Sequence, residues 1–134
     1  MSKDWVKDIN EMQTKYGVHD WIKKASPEQR NEYLKFRADF LKEELTELNN
    51  AIYHADSEEV VDALIDLCVV AIGTLDSFQV DAHKAWDEVL KANMNKEVGV
   101  KEGRPNPLGL PDLTKPEDWE APDHSGNYGI LYDF

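Results

Sequence analysis

The segment from Val60 to Leu75, VVDALIDLCVVAIGTL, constrains the fold more than any other part of the chain. It can form about four helical turns that are apolar on nearly every side, a pattern typical of a helix that is buried all round. It nevertheless carries Asp62 and Asp66, which stand four residues apart and therefore share a helix face. The segment contains no lysine or arginine, and a buried carboxylate without a partner is costly, so we expect a cation beside this face.

The preceding segment, FLKEELTEL, adds carboxylates to an amphipathic helix. Leu41, Leu45 and Leu48 repeat at the spacing of a helical stripe that faces a core. Glutamates also fall within this part of the helix, although no packing argument requires them there. Those in or beside the apolar arc are Glu44 and Glu47, and Glu43 falls just outside it.

A short turn between these two helices brings their carboxylates together. If the turn centres near residue 56, antiparallel pairing places Glu44 opposite about Cys68 and Glu47 opposite about Ile65, with Asp66 between them. Asp62 then lies one turn nearer the loop, and Glu43 lies one position beyond Glu44. Only cations make such a cluster tolerable, and ligands that are all oxygen atoms favour Mg²⁺ or Mn²⁺ over zinc.

Capping signals predict four helices in an all-α fold. Beyond Gly99 the frequent Gly and Pro residues predict an irregular tail. We expect residues 1–98 to form an all-α helical domain, and residues 99–134 to form a tail that packs on this domain or on a partner subunit. The predicted helices span residues 4–16 with a loop after Gly17, then from Ser26 to about Tyr53, from Asp56 or Ser57 to about Phe78, and from Asp81 to about Asn95.

The composition limits the possible partners. The net charge of −12 argues against a chain that binds duplex nucleic acid or an anionic membrane. The single cysteine, Cys68, allows no internal disulfide and is expected in the core. The N-terminus lacks the apolar core of a signal peptide, and the longest apolar run is too short to span a bilayer. A soluble cytoplasmic protein is therefore expected.

Other charged residues have simpler explanations or separate roles. Glu59 lies in the first turn of its helix, where it favours the helix dipole, and Asp76 and Asp87 are expected to be surface charges. Near the end of the fourth helix, Asn93 and Lys96 stand three residues apart, where they can meet a phosphate chain. The alternative for Lys96 is compensation of the helix dipole at a C-terminus.

These features resemble a known superfamily, the all-α nucleoside triphosphate pyrophosphohydrolases, which include MazG and phosphoribosyl-ATP pyrophosphatase. Glu43, Glu44 and Glu47 match its EExxE motif. DALIDLCVVAIGTLDSFQVD is similar to its second metal helix, and KANMNK to the helix that follows. LTKPEDWEAPD resembles the tail of MazG-like proteins, the phage and bacterial members included, which we take as the nearest relatives. The resemblance implies a helical hairpin bundle whose core is completed by dimerisation, as a homodimer or a dimer of dimers.

The resemblance also implies a reaction and roles for residues. The expected reaction is hydrolysis between the α and β phosphates of an NTP or dNTP, with Mg²⁺ or Mn²⁺ as cofactor. Asp66 matches the aspartate of the family's ExxD motif, but Ala63 stands where its glutamate is expected, so Asp62 or Glu59 takes that place. Roles carried over from the resemblance are metal binding for Glu43, Glu44, Glu47, Asp62 and Asp66, orientation of water by Glu43 as a base, and substrate binding for Asn93, Lys96, Lys115 and Trp119.

Two alternative hypotheses involve no catalysis. The missing ExxD glutamate supports an inactive helical dimer that binds a nucleotide as a signal or regulates a partner. The acidic charge alone suggests a mimic of nucleic acid, although Asp66 within an apolar run does not fit this reading. A di-iron carboxylate site is excluded, because no histidine has a glutamate three residues before it.

Overall fold

The computed structural model describes residues 3–101, 103 and 105–133, and this part of the chain confirms the all-α fold. A small antiparallel sheet of two strands and a terminal 3₁₀ helix, Gly129–Asp133, are the additions. The helices are α1 (Trp5–Lys15), α2 (Val18–Lys24), α3 (Pro27–Tyr53), α4 (Ser57–Ser77) and α5 (Ala82–Met94), and the strands are β1 (Glu97–Gly99) and β2 (Asp112–Thr114).

Local side-chain caps set the boundaries of the two longest helices, as predicted. At the start of α3 the Ser26 hydroxyl accepts from the Gln29 backbone N–H at 3.1 Å, and the Gln29 side chain accepts from the Ser26 backbone N–H at 2.8 Å. Asp56 caps α4 by accepting from the Glu59 backbone N–H at 3.2 Å. These bonds satisfy amide groups that have no partner inside the helix.

The loop predicted after Gly17 is wrong, because this segment forms α2. Gly17 has φ of +74°, a left-handed conformation that ends α1 and starts α2 within one residue. The side chain of Ile22 is fully buried. The helix has only seven residues, so packing rather than intrinsic propensity stabilises it.

The α3–α4 hairpin is the centre of the fold, and α1 and α2 pack against α4. Ala63 and Val70 are buried on α4. The predicted burial of α4 on every side is nevertheless wrong for the single chain, because Val61, Leu64 and Ile65 are 63%, 47% and 44% exposed. The hairpin thus leaves one apolar face uncovered.

The described residues form two compact units. These units are defined by contacts between residues and not by the change of composition at residue 99. One unit contains the residues up to Ala82 together with those from Gly126 onward, and the other contains His83–Ser125. In the first unit the Asn127 side chain accepts from the Asp81 N–H at 2.8 Å and donates to the Asp81 carbonyl at 2.9 Å. None of the helices described here combines the length and apolar character needed to cross a membrane.

Candidate metal centre

The α3–α4 hairpin brings the predicted carboxylates together. Glu44 on α3 is only 8% exposed, and it experiences the charges of Glu47, Asp66 and Glu43. Asp66 on α4 is half-buried and experiences the charges of Asp62 and Glu47. The predicted antiparallel pairing is therefore consistent with the electrostatic contacts between the two helices.

Glu44 is the most deeply buried member of this carboxylate cluster. Within the described residues, its Oε2 atom is buried and accepts no hydrogen bond. Burial, a hydrogen bond with Glu47 and the neighbouring negative charges raise the pKa of Glu44 to about 7. A buried acceptor without a donor destabilises the fold unless a proton or a cation reaches it.

The α4 side of the cluster contains both candidates for the missing ExxD glutamate. Burial, followed by the charge of Asp62 and a hydrogen bond with it, raises the pKa of Asp66. Glu59 is exposed, but partial desolvation and the charges of Asp62, Asp56, Glu47 and Asp66 raise its pKa as well. Asp62 contacts Asp66 directly, whereas Glu59 lies one turn nearer the loop.

The donor atoms suit a hard cation, although they do not yet form a coordination shell. Among the residues that the structure describes, no group of three His, Cys, Asp or Glu side chains is arranged so that it could hold a metal ion. Hydrogen bonds pair Glu44 with Glu47 on α3 and Asp62 with Asp66 on α4, so each pair forms within one helix and not across the hairpin. The unpartnered Glu44 Oε2 and the all-oxygen donor set fit a hard divalent ion after side-chain rotation.

Three of the four predicted substrate-binding residues meet in the second unit. The Trp119 indole N–H donates to the Ala92 carbonyl at 2.7 Å, which fixes the ring. The ammonium groups of Lys115 and Lys96 lie 4.7 Å and 5.6 Å from the centre of that ring. Asn93 is exposed on α5, and the structure gives it no contact with this group.

A cavity of about 600 Å³ in the same unit has Trp119 in its wall. Its charged lining is mainly acidic, so it is not suited to a phosphate chain. The charged residues of the cavity wall are Glu88, Lys91, Glu97, Asp118, Glu120 and Asp123.

Asp76 was expected at the surface, and this prediction is wrong. Its side chain is only 10% exposed and accepts from Asn10 Nδ2 at 2.8 Å, Gln13 Nε2 at 2.7 Å and His19 Nε2 at 2.6 Å. The donors come from α1 and α2, at least 57 residues away in sequence. No local pattern could reveal such a pairing.

Comparison with known proteins gives one match. The sequence model of the family described as phosphoribosyl-ATP pyrophosphohydrolase matches residues 17–93, more than half of the chain. The matched range contains all five carboxylates of the cluster and Asn93, and it ends before Lys96, Lys115 and Trp119. No curated protein and no solved structure matches the chain significantly.

Proposed function

The chain belongs to the phosphoribosyl-ATP pyrophosphohydrolase family, and from this premise we propose that it is a metal-dependent nucleoside triphosphate pyrophosphohydrolase. The family supports a general pyrophosphohydrolase activity on acid anhydrides. The proposed reaction cleaves an NTP or dNTP between its α and β phosphates and yields a monophosphate and pyrophosphate. The observation that carries this proposal is the buried, unpartnered Oε2 of Glu44, a carboxylate that also experiences the charges of Glu43, Glu47 and Asp66.

The metal ligands that we propose come from both helices of the hairpin. Glu44 and Glu47 on α3, with Asp62 and Asp66 on α4, would hold Mg²⁺ or Mn²⁺, and Glu43 would contribute to a second position. When bound, a divalent ion neutralises charge on phosphate oxygens and makes water more acidic. The raised pKa of Glu44 means that a cation must displace a proton there at mildly acidic pH.

The remaining proposed roles belong to side chains that handle water and substrate. Glu43 is exposed at the edge of the cluster, where its carboxylate can orient a water molecule and accept its proton. Lys96 and Asn93 would hold the phosphate chain. Lys115 and Trp119 would cover the nucleotide, since the indole N–H bond to Ala92 fixes the ring as a stacking surface.

The exposed apolar face of the hairpin favours assembly with a second copy. Val61, Leu64 and Ile65 on α4, with Leu45 and Ile52 on α3, are all more than 40% exposed. A contiguous apolar face of this kind marks an interaction surface. We therefore propose a homodimer, or a dimer of dimers, that covers α4.

The test is pyrophosphate release from a panel of NTPs, dNTPs and phosphoribosyl-ATP, with Mg²⁺, with Mn²⁺ and with EDTA. The wild-type protein should turn over at least one triphosphate only with metal, and Glu44→Gln should reduce kcat by at least about 100-fold because it removes a ligand. Glu32→Gln, an exposed change on the same helix, should retain activity. A folded protein that binds a nucleotide without turnover would instead support the inactive regulatory module.

A further inference from the structure

Arg37 joins α3 to α4 two helical turns before Glu44. Its Nε donates to the Thr74 hydroxyl at 3.0 Å, and its Nη2 donates to the Val70 carbonyl at 2.9 Å. The Thr74 hydroxyl itself donates to the Val70 carbonyl at 2.7 Å. The planar guanidinium therefore donates to two acceptors that lie one turn apart on α4.

The packing around Arg37 leaves little freedom for this group. A Cβ atom at position 73 would lie 2.7 Å from Arg37 Nη2, so the absence of a side chain at Gly73 provides the space for the guanidinium. The other side of the group lies over the Phe40 ring, with 5.7 Å between the guanidinium carbon and the ring centre. Within the described residues, Arg37 forms no ion pair with a carboxylate, so its two bonds to α4 are its polar contacts there.

The bonds of Arg37 lie one to two helical turns from the carboxylate cluster on both helices. Arg37 precedes Glu44 by two helical turns on α3, about 10 Å along the axis, and Val70 follows Asp66 by one turn on α4. A slip of α4 by one residue, about 1.5 Å, would lengthen and misalign both bonds and would also change the separation of Glu44 from Asp66.

We propose that Arg37 is a positioning residue, which fixes the register of α3 against α4 and so keeps the two halves of the carboxylate cluster at the spacing that metal binding requires. This inference rests on the proposed function. It assigns to Arg37 a role in metal affinity without contact with metal or substrate. Residues that orient metal ligands from outside typically alter metal affinity 10- to 100-fold when they are replaced.

The direction of the change in cation affinity distinguishes this positioning role from a purely electrostatic role. Removal of a positive charge near an anionic site should tighten the binding of a cation if Arg37 acts only through its charge. Loss of the register should weaken that binding. The charge explanation and the register explanation therefore predict different results for Arg37→Lys, because lysine retains the charge but not the planar pair of donors.

Arg30 provides a matched control on the same helix. Its Nε and Nη2 donate to the carbonyls of Ile22 and Lys23 at 3.0 Å and 3.2 Å, so it also bridges helices through two bonds to backbone oxygens. Those bonds reach α2 rather than α4. Arg30→Met should therefore affect folding stability in a similar way without changing the spacing of the cluster.

The experiment is titration of each purified, full-length protein with Mn²⁺, followed by the electron paramagnetic resonance signal of the free ion. Arg37→Met should weaken Mn²⁺ binding by at least about 10-fold and Arg37→Lys by a similar factor, whereas Arg30→Met should stay within twofold of wild type. Circular dichroism establishes that each variant is folded. If Arg37→Met does not fold, Thr74→Val, which removes one acceptor of the guanidinium, should still weaken binding.

Several results would contradict the positioning role of Arg37. Unchanged or tighter Mn²⁺ binding by folded Arg37→Met, wild-type binding by Arg37→Lys, or an equal loss in Arg30→Met would overturn the positioning role and leave the proposed pyrophosphohydrolase intact. Should Arg37→Met fail to fold, wild-type binding by Thr74→Val would have the same meaning. A wild-type protein that binds no Mn²⁺ would instead overturn both the metal site and this inference.

Discussion

The imidazole Nε2 of His19 lies 2.6 Å from Oδ2 of Asp76 and ties α2 to the last turn of α4. A carboxylate at this end of a helix opposes the helix dipole. Donors from Asn10 and Gln13 on α1 offset that cost. The packing of α1, α2 and α4 against one another therefore depends on the carboxylate of Asp76.

Replacement of Asp76 with Asn should lower the free energy of unfolding by about 1–3 kcal/mol at pH 7, because three donors lose a charged acceptor. Burial opposes ionisation of Asp76, but the hydrogen bonds from Asn10, Gln13 and His19 outweigh it and lower its pKa below the usual 3.8. A carboxyl with a lowered folded-state pKa stabilises the fold above its unfolded pKa, and this contribution is lost as the pH falls through the folded-state value. Urea unfolding at pH 7 and at about pH 3 measures the change.

The exposed Asp87→Asn variant is the control for Asp76 and should match wild type at both pH values. The difference between Asp76→Asn and wild type should shrink at the lower pH. An equal difference at both would mean that the charge of Asp76 contributes nothing to stability.

In the absence of metal, Glu44→Gln should make the fold more stable at about pH 8. Folding raises the pKa of Glu44 from 4.5 to about 7, so its contribution to stability is fully present below 4.5 and is lost as the pH rises through 7. The wild-type protein in EDTA should therefore lose stability between these values. Glu44→Gln should show a flatter profile of urea midpoint against pH. For the control Glu32→Gln, the urea midpoint should change with pH as it does in wild type. The same pH dependence in Glu44→Gln would contradict the raised pKa of Glu44.

Gly73→Ala should destabilise the fold by about 1 kcal/mol net, because overpacking of the α3–α4 contact costs about 1–3 kcal/mol and the gain in helix propensity returns about 1 kcal/mol. The new Cβ would lie 2.7 Å from Arg37 Nη2 and 3.1 Å from Gln13 Oε1. The cost should fall in an Arg37→Ala background, where the space is open. A double-mutant cycle of unfolding free energies measures this coupling, and strictly additive costs would show that Arg37 does not define the space at position 73.

Asn127→Ala should expose the C-terminal segment to protease. The side-chain amide both accepts from and donates to the Asp81 backbone, and its removal takes two hydrogen bonds from a buried position. We expect a stability loss of about 1–3 kcal/mol and faster cleavage after residue 125 in limited proteolysis. Asn127→Asp retains the acceptor, but it places a buried carboxylate oxygen against the Asp81 carbonyl oxygen and should show at least as large a loss. Cleavage at the wild-type rate in both variants would mean that another contact anchors this segment.

If the proposed dimer forms through α4, Leu64→Lys should convert it to a monomer, because it places a charge within the exposed apolar face of α4. Light scattering coupled to gel filtration gives the mass directly. Leu108→Lys is the matched control, since Leu108 is an exposed leucine in the other unit. If both variants stay dimeric, or the wild type is already monomeric, the apolar face has another purpose.

The sequence by itself determined the boundaries of the long helices and the meeting of the carboxylates. The caps at Ser26 and Asp56 join residues only three apart, so a short stretch of sequence is enough to indicate them. Once a short turn connects two helices of known period, the register of Glu44 against Asp66 follows within about one turn.

Only the tertiary structure decided what these helices pack against. The α2 helix depends on the burial of Ile22, and the buried charge of Asp76 depends on donors 57 to 66 residues away. The bonds of Arg37 to Val70 and Thr74 span 33 and 37 residues. Hydrophobic period and capping are local signals, whereas these contacts arise from the position of one helix against another, which no short stretch of sequence specifies.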